Sequence, residues 1–236
     1  MRLHAILFLT CTAVASSSML PPPAGWISAA DINRIRALIS NGTEPWASAG
    51  VQFLNDSSLT PAYKPSPQAT VCRGDDGAQC GGCQQLERDS MAAYYLMIRW
   101  VVTGEEAWAD TAMRVVDAWS GTLVNFTGHD QMLASGVYGS HLAQASELLA
   151  HAKQGVEWPL KQRAQTMFKT AFHPVCVRFC GGDTQDVQNC SHGANGNWDA
   201  SWCVRALSLS LSLTLTLCQT DTIKHSSSSS TLRTAV

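Results

Sequence analysis

Charge is scarce in this chain. Asp, Glu, Lys and Arg make up 14% of its 236 residues, and 16 basic against 18 acidic side chains leave a net charge of −2. No Lys/Arg cluster stands out, so the electrostatic basis for binding nucleic acid or an anionic membrane is missing. The apolar run from Ala5 to Ala15 is too short to span a bilayer. A phosphate-cradling glycine loop and a convincing metal-ligand cluster are also missing, and no cofactor is expected. No alternating strand pattern precedes residue 200, which points to an all-α fold. The length suits one main domain.

What is present begins with an address. Met1-Arg2-Leu3-His4, the short apolar run and Ala13-Val14-Ala15 before Ser16 have the three-part form of a secretory signal peptide, assigned to residues 1–15. The expected location is extracellular, or periplasmic in a bacterium. Residues 16–25 form a leader ending in Pro21-Pro22-Pro23-Ala24-Gly25. In an oxidising compartment, Cys72, Cys80 and Cys83, and a second group at Cys176, Cys180 and Cys190, read as disulfide partners rather than zinc ligands, because no His stands at ligand spacing around the first group. Connectivity is open. Asn41, Asn55, Asn125 and Asn189 each begin an Asn-x-Ser/Thr sequon.

The strongest periodic signal lies between Met91 and Trp119. Met91, Tyr94, Tyr95, Ile98, Val101 and Val102 recur at one-face helical spacing, as do Trp108, Ala112, Val115, Val116 and Trp119. The Thr103-Gly104 turn between them predicts an antiparallel helical hairpin with Trp108 and Trp119 in the core. Ser28 is expected to cap an earlier helix stopped by Asn41-Gly42, and Pro45 to start one running to about Leu54. Gln131 to about Lys153 returns to helix, and a further helix from Trp158-Pro159 is expected to end at His173-Pro174. Periodicity vanishes from Asn55 to Gln84, which is read as a long, ordered, disulfide-containing lid. From Leu207 to Leu217 Leu alternates with Ser or Thr, and Ser226 to Ser230 is a serine run. Residues 203–236 are read as a low-complexity tail outside the fold, of the kind that translated non-coding sequence would produce.

Four elements carry a resemblance by their order and spacing. They are Trp100–Trp119, Gly128-His129-Asp130-Gln131-Met132-Leu133-Ala134-Ser135-Gly136, Ala145-Ser146-Glu147-Leu148-Leu149 and Asn195-Gly196-Asn197-Trp198. Over residues 26–202 the chain resembles the alginate lyase superfamily. The resemblance implies an incomplete α/α toroid of helical hairpins and β-elimination at a uronate in an acidic polysaccharide. That reaction needs a group that neutralises the uronate carboxylate, a base for the C5 proton and an acid for the leaving oxygen. The resemblance puts Asn195 in the neutralising role and Trp198 at the aromatic wall. The family's neighbouring His is replaced by Gly196 or Asn197, which leaves His192 as the imidazole candidate, and no tyrosine follows Tyr138. Asn197, His129, Gln131 and Arg73 are the further substrate-binding candidates, with Lys64 beside Arg73 in the lid. The expected partner is an acidic polysaccharide, and the expected state is a monomer. Two other readings are an inverting glycoside hydrolase using Asp130 and Asp199, and a secreted glycan-binding module without catalysis.

Overall fold

A computed structural model of the chain describes residues 26–74, 80–152 and 158–179. The signal peptide, the leader, the Asn195 element with His192, Asn197 and Trp198, and the tail all lie outside the described residues. The described part is mostly helical.

Helix α1 (Ala29–Ser40) starts at the expected cap. Ser28 Oγ accepts the Asp31 N–H at 3.1 Å, and the Asp31 carboxylate accepts the Ser28 N–H at 3.2 Å, so two otherwise unpaired amides are satisfied reciprocally. Gly42, at φ 66°, turns the chain into α2 (Trp46–Leu54). The longest helix is α3 (Cys83–Thr103). Gly104, at φ 74°, ends it, and α4 (Glu106–Ser120) follows almost at once and packs along it. Their shared core contains Leu86, Leu96, Met97 and Val101 from α3 and Val115, Val116 and Trp119 from α4, all without solvent exposure. Trp119 is core, as its spacing implied. Helix α5 (Gln131–Glu147) continues as a π-helical turn, Leu148–Ala152, and packs on α3. The last described elements are α6 (Lys161–Met167), the π-helical turn Phe168–Phe172 and α7 (His173–Phe179).

Two expectations need correction. Pro174 does not end the last helix; it lies in the first turn of α7. The preceding π-turn already interrupts the i to i−4 ladder, so proline's missing N–H falls where that bond is not required. The region read as free of strands also contains two among the described residues, β1 (Thr70–Cys72) and β2 (Asn125–Thr127), paired in parallel with Val71 opposite Phe126. Three residues are too few to display an alternation. The α3–α4 segment supplies the crossover that a parallel pair needs.

Helix α3 also disposes of the aperiodic stretch after α2. Asp89 has no exposure and accepts hydrogen bonds from Tyr63 Oη at 2.7 Å, the Ser66 N–H at 2.6 Å and Trp119 Nε1 at 2.9 Å. Arg99, also buried, donates to the carbonyls of Phe53, Asp56 and Leu59, the first of these in the last turn of α2. Its guanidinium lies 5.5 Å from the Phe53 ring centroid and 4.9 Å from that of Trp108. The loop is thus pinned at both ends of its course by buried charges to which it supplies hydrogen bonds, while Arg99 Nε has no partner among the described residues. Asp89→Ala would leave one buried and two half-buried donors without this acceptor. A loss of about 3 kcal/mol is expected, read as a lower denaturant midpoint at unchanged slope; a midpoint within error of the parent would contradict this role.

Candidate functional site

The site is assembled where β1 meets the start of α5. Beyond the strand pair, the Arg73 N–H donates to Thr127 O at 3.1 Å, and the Arg73 carbonyl accepts the Asp130 N–H at 3.0 Å. Two glycines at positive φ, Gly74 and Gly128, permit this approach. A Cβ on Gly128 would lie 2.1 Å from the Arg73 carbonyl oxygen, and one on Gly74 would lie 2.8 Å from Asp130 atoms. Only glycine fits either turn. The Cys72–Cys80 disulfide and the Cys72 N–H to Gly81 O bond close the other side of the loop. Residues 72–74 are therefore fixed against residues 127–130.

This placement directs Arg73 onto α5. Its Nη1 donates to Tyr138 Oη at 3.1 Å, and its guanidinium carbon is 5.9 Å from that ring's centroid. Gln131 and Tyr138 are two helical turns apart and share one face of α5. Gln131 Oε1 accepts a hydrogen bond from Arg178 Nη2 of α7 at 3.2 Å. Burial raises the Tyr138 phenol above its usual pKa, and Arg73 only partly opposes this, so Tyr138 is a protonated hydroxyl at neutral pH. The free thiol of Cys83, at the start of α3, is likewise raised by burial against the pull of Arg73. Arg73 thus shares one small cluster with Tyr138 and Cys83, and Gln131 and Arg178 stand at the near end of the same helix.

The sequence candidates separate accordingly. Arg73 falls in this cluster, and Gln131 lies two turns from Tyr138 on the same helix, held by Arg178. His129 is adjacent but largely exposed, with Nε2 3.6 Å from Asp130 Oδ1. The Asp130 side chain makes no capping bond to α5. Lys64 is exposed and away from these contacts. Tyr138, Cys83 and Arg178 did not figure among the sequence candidates; the two-turn spacing of Gln131 and Tyr138 was the one readable sign. Trp108 packs partly buried against the core, as expected. No protein-family model matches the chain, and no similar curated protein or solved structure was found.

A second polar group lies further along α3 and α5. Trp26, Tyr94 and His141 meet edge to face, with centroids 5.4 to 5.8 Å apart. Burial, with Tyr95 adding to it, pushes the Tyr94 phenol up to about 12. Burial also lowers the His141 pKa below 6.5, opposed by the contact of Nδ1 with Val137 O at 2.9 Å. That contact requires a proton on Nδ1 and leaves Nε2 as the acceptor of a neutral ring. The unfolded chain binds the His141 proton more readily than the folded one, so this contribution to stability is complete above pH 6.5 and is lost as pH falls below it. His141→Gln should flatten the decline in denaturant midpoint across that range. Parallel pH profiles for the parent and the variant would show that His141 contributes nothing to it.

Proposed function

We propose that this chain is a secreted polysaccharide lyase that cleaves an acidic, uronate-containing polymer such as alginate by β-elimination, with an incomplete α/α toroid as its scaffold. The observation that carries the reading is Arg73, fixed through its backbone and held at one guanidinium nitrogen by Tyr138. Arg73 also hydrogen-bonds the Cys83 thiol, and a guanidinium fork grips a carboxylate in bidentate fashion. Gln131 and Arg178 extend the polar surface, which also holds the Glu87 carboxylate beside Tyr138; Arg73 and Arg178 are the cations that favour an acidic chain. Packing of α1 on α3, α3 on α5 and α5 on α7, with α4 on α6, is compatible with hairpins added around an axis.

In this reading Arg73 withdraws charge from the uronate carboxylate and so acidifies the C5–H bond. Tyr138 keeps its proton at neutral pH and is placed to deliver it to the departing glycosidic oxygen. Asn195 is the proposed second carboxylate neutraliser and His192 the proposed base, with Trp198, Asn197 and His129 along the sugar chain.

The test is the full chain with polyuronate, followed by ultraviolet absorbance of the unsaturated product. Arg73→Ala is expected to lower kcat/KM by about 10²–10³-fold, and Arg73→Lys to recover little of it. Tyr138→Phe should lower kcat by about 10²–10⁴-fold with KM little changed. Reducing ends without the chromophore would mean hydrolysis. Binding without turnover that is indifferent to Arg73 would overturn the reading altogether.

A further inference from the structure

The cations along α5 are spaced rather than continuous. Arg178 is anchored at Gln131 and Arg73 at Tyr138. These anchors share one helix face and stand about 10 Å apart along its axis at the helical rise. Built from bonds of about 1.5 Å, a pyranose unit advances a polysaccharide by roughly 5 Å, so carboxylates held at both cations belong to every second sugar. The nearby anions agree with that spacing. Asp130 stands beside Gln131 with its N–H bound by the Arg73 carbonyl, and the Glu87 carboxylate lies beside the Tyr138 phenol. A polymer charged on every sugar would bring further carboxylates against these two, and like charges in contact are costly. An uncharged sugar meets no such penalty.

Past Tyr138 the surface turns aromatic. Cys83, Glu87 and Tyr94 share one face of α3 by their spacing. Tyr94 meets His141, which lies about 4.5 Å beyond Tyr138 along α5 at the helical rise. Trp26 packs edge to face on both and keeps 37% of its surface exposed. Tyr94 retains its proton and His141 is a neutral ring at pH 7, so the three side chains offer ring surface and polar atoms without charge.

We propose that the polymer this site takes is one in which uronate residues alternate with uncharged sugars, with carboxylates held at Arg178 and Arg73 and an uncharged sugar packed against Trp26, Tyr94 and His141. The inference rests on the lyase reading and narrows its substrate class. Two guanidiniums one disaccharide apart set the period, Asp130 and Glu87 exclude additional charge beside them, and the aromatic end accepts the next sugar through its ring face and hydroxyls.

The experiment measures binding of the full chain by calorimetry to two hexasaccharides, one alternating glucuronate with N-acetylglucosamine and one of mannuronate throughout, and follows unsaturated product from the corresponding polymers. The alternating ligand should bind at least about tenfold more tightly, the scale of one like-charge contact avoided. Glu87→Gln should close most of that gap by strengthening the all-uronate ligand, and Trp26→Ala should weaken the alternating one several-fold. Equal or tighter binding of the all-uronate hexasaccharide, or a gap untouched by Glu87→Gln, would overturn the inference while leaving the lyase reading in place. Binding of neither ligand, with no unsaturated product from either polymer, would remove both.

Discussion

Two buried charges on α3 set the course of the chain's least regular segment. Asp89 and Arg99 lie about three helical turns apart, each withdrawn from solvent, and each finds two of its partners in the stretch between α2 and β1. Withdrawing a carboxylate and a guanidinium from water is costly unless hydrogen bonds replace the lost hydration. Here most of the replacements come from the loop: Tyr63 and Ser66, with Trp119 of α4, for the acid, and the carbonyls of Asp56 and Leu59, with Phe53 of α2, for the base. The loop needs the helix for its shape, and the helix needs the loop to satisfy its charges.

That mutual dependence reaches the candidate site. A segment fixed at residues 53–66 enters β1 in one register, with Val71 against Phe126. The disulfide and the two facing glycine turns then leave Arg73 little freedom to point anywhere but along α5. Its position is thus the end of a chain of constraints that begins in the core. A cation so preorganised binds an anion with less ordering cost than one on a free loop.

Much of the fold was legible in the sequence because helices announce themselves through long periodicities and through end residues with distinct chemistry. Ser28, Gly42 and Gly104 each mark a boundary that the structure places where the capping and turn rules do. What was not legible depended on tertiary partners. The strands are too short to alternate, and Pro174 is accommodated by a π-turn that no local pattern betrays. The site shows the same division. Arg73 and Gln131 are conspicuous polar residues, whereas Tyr138 reads as one more aromatic on a helical face until Arg73 is seen to reach it. The pairing of Cys72 with Cys80, leaving Cys83 as a thiol, likewise required the fold, since spacing alone allows several connectivities.

In the proposed lyase, the junction of β1, β2 and the start of α5 receives the uronate chain. Hydrogen–deuterium exchange of the full protein, with and without a saturating oligouronate, tests it most directly. The account predicts added protection confined in the described residues to 70–73, 125–131 and the tip of α7 around Arg178. Protection that leaves these amides unchanged while slowing exchange elsewhere would contradict it.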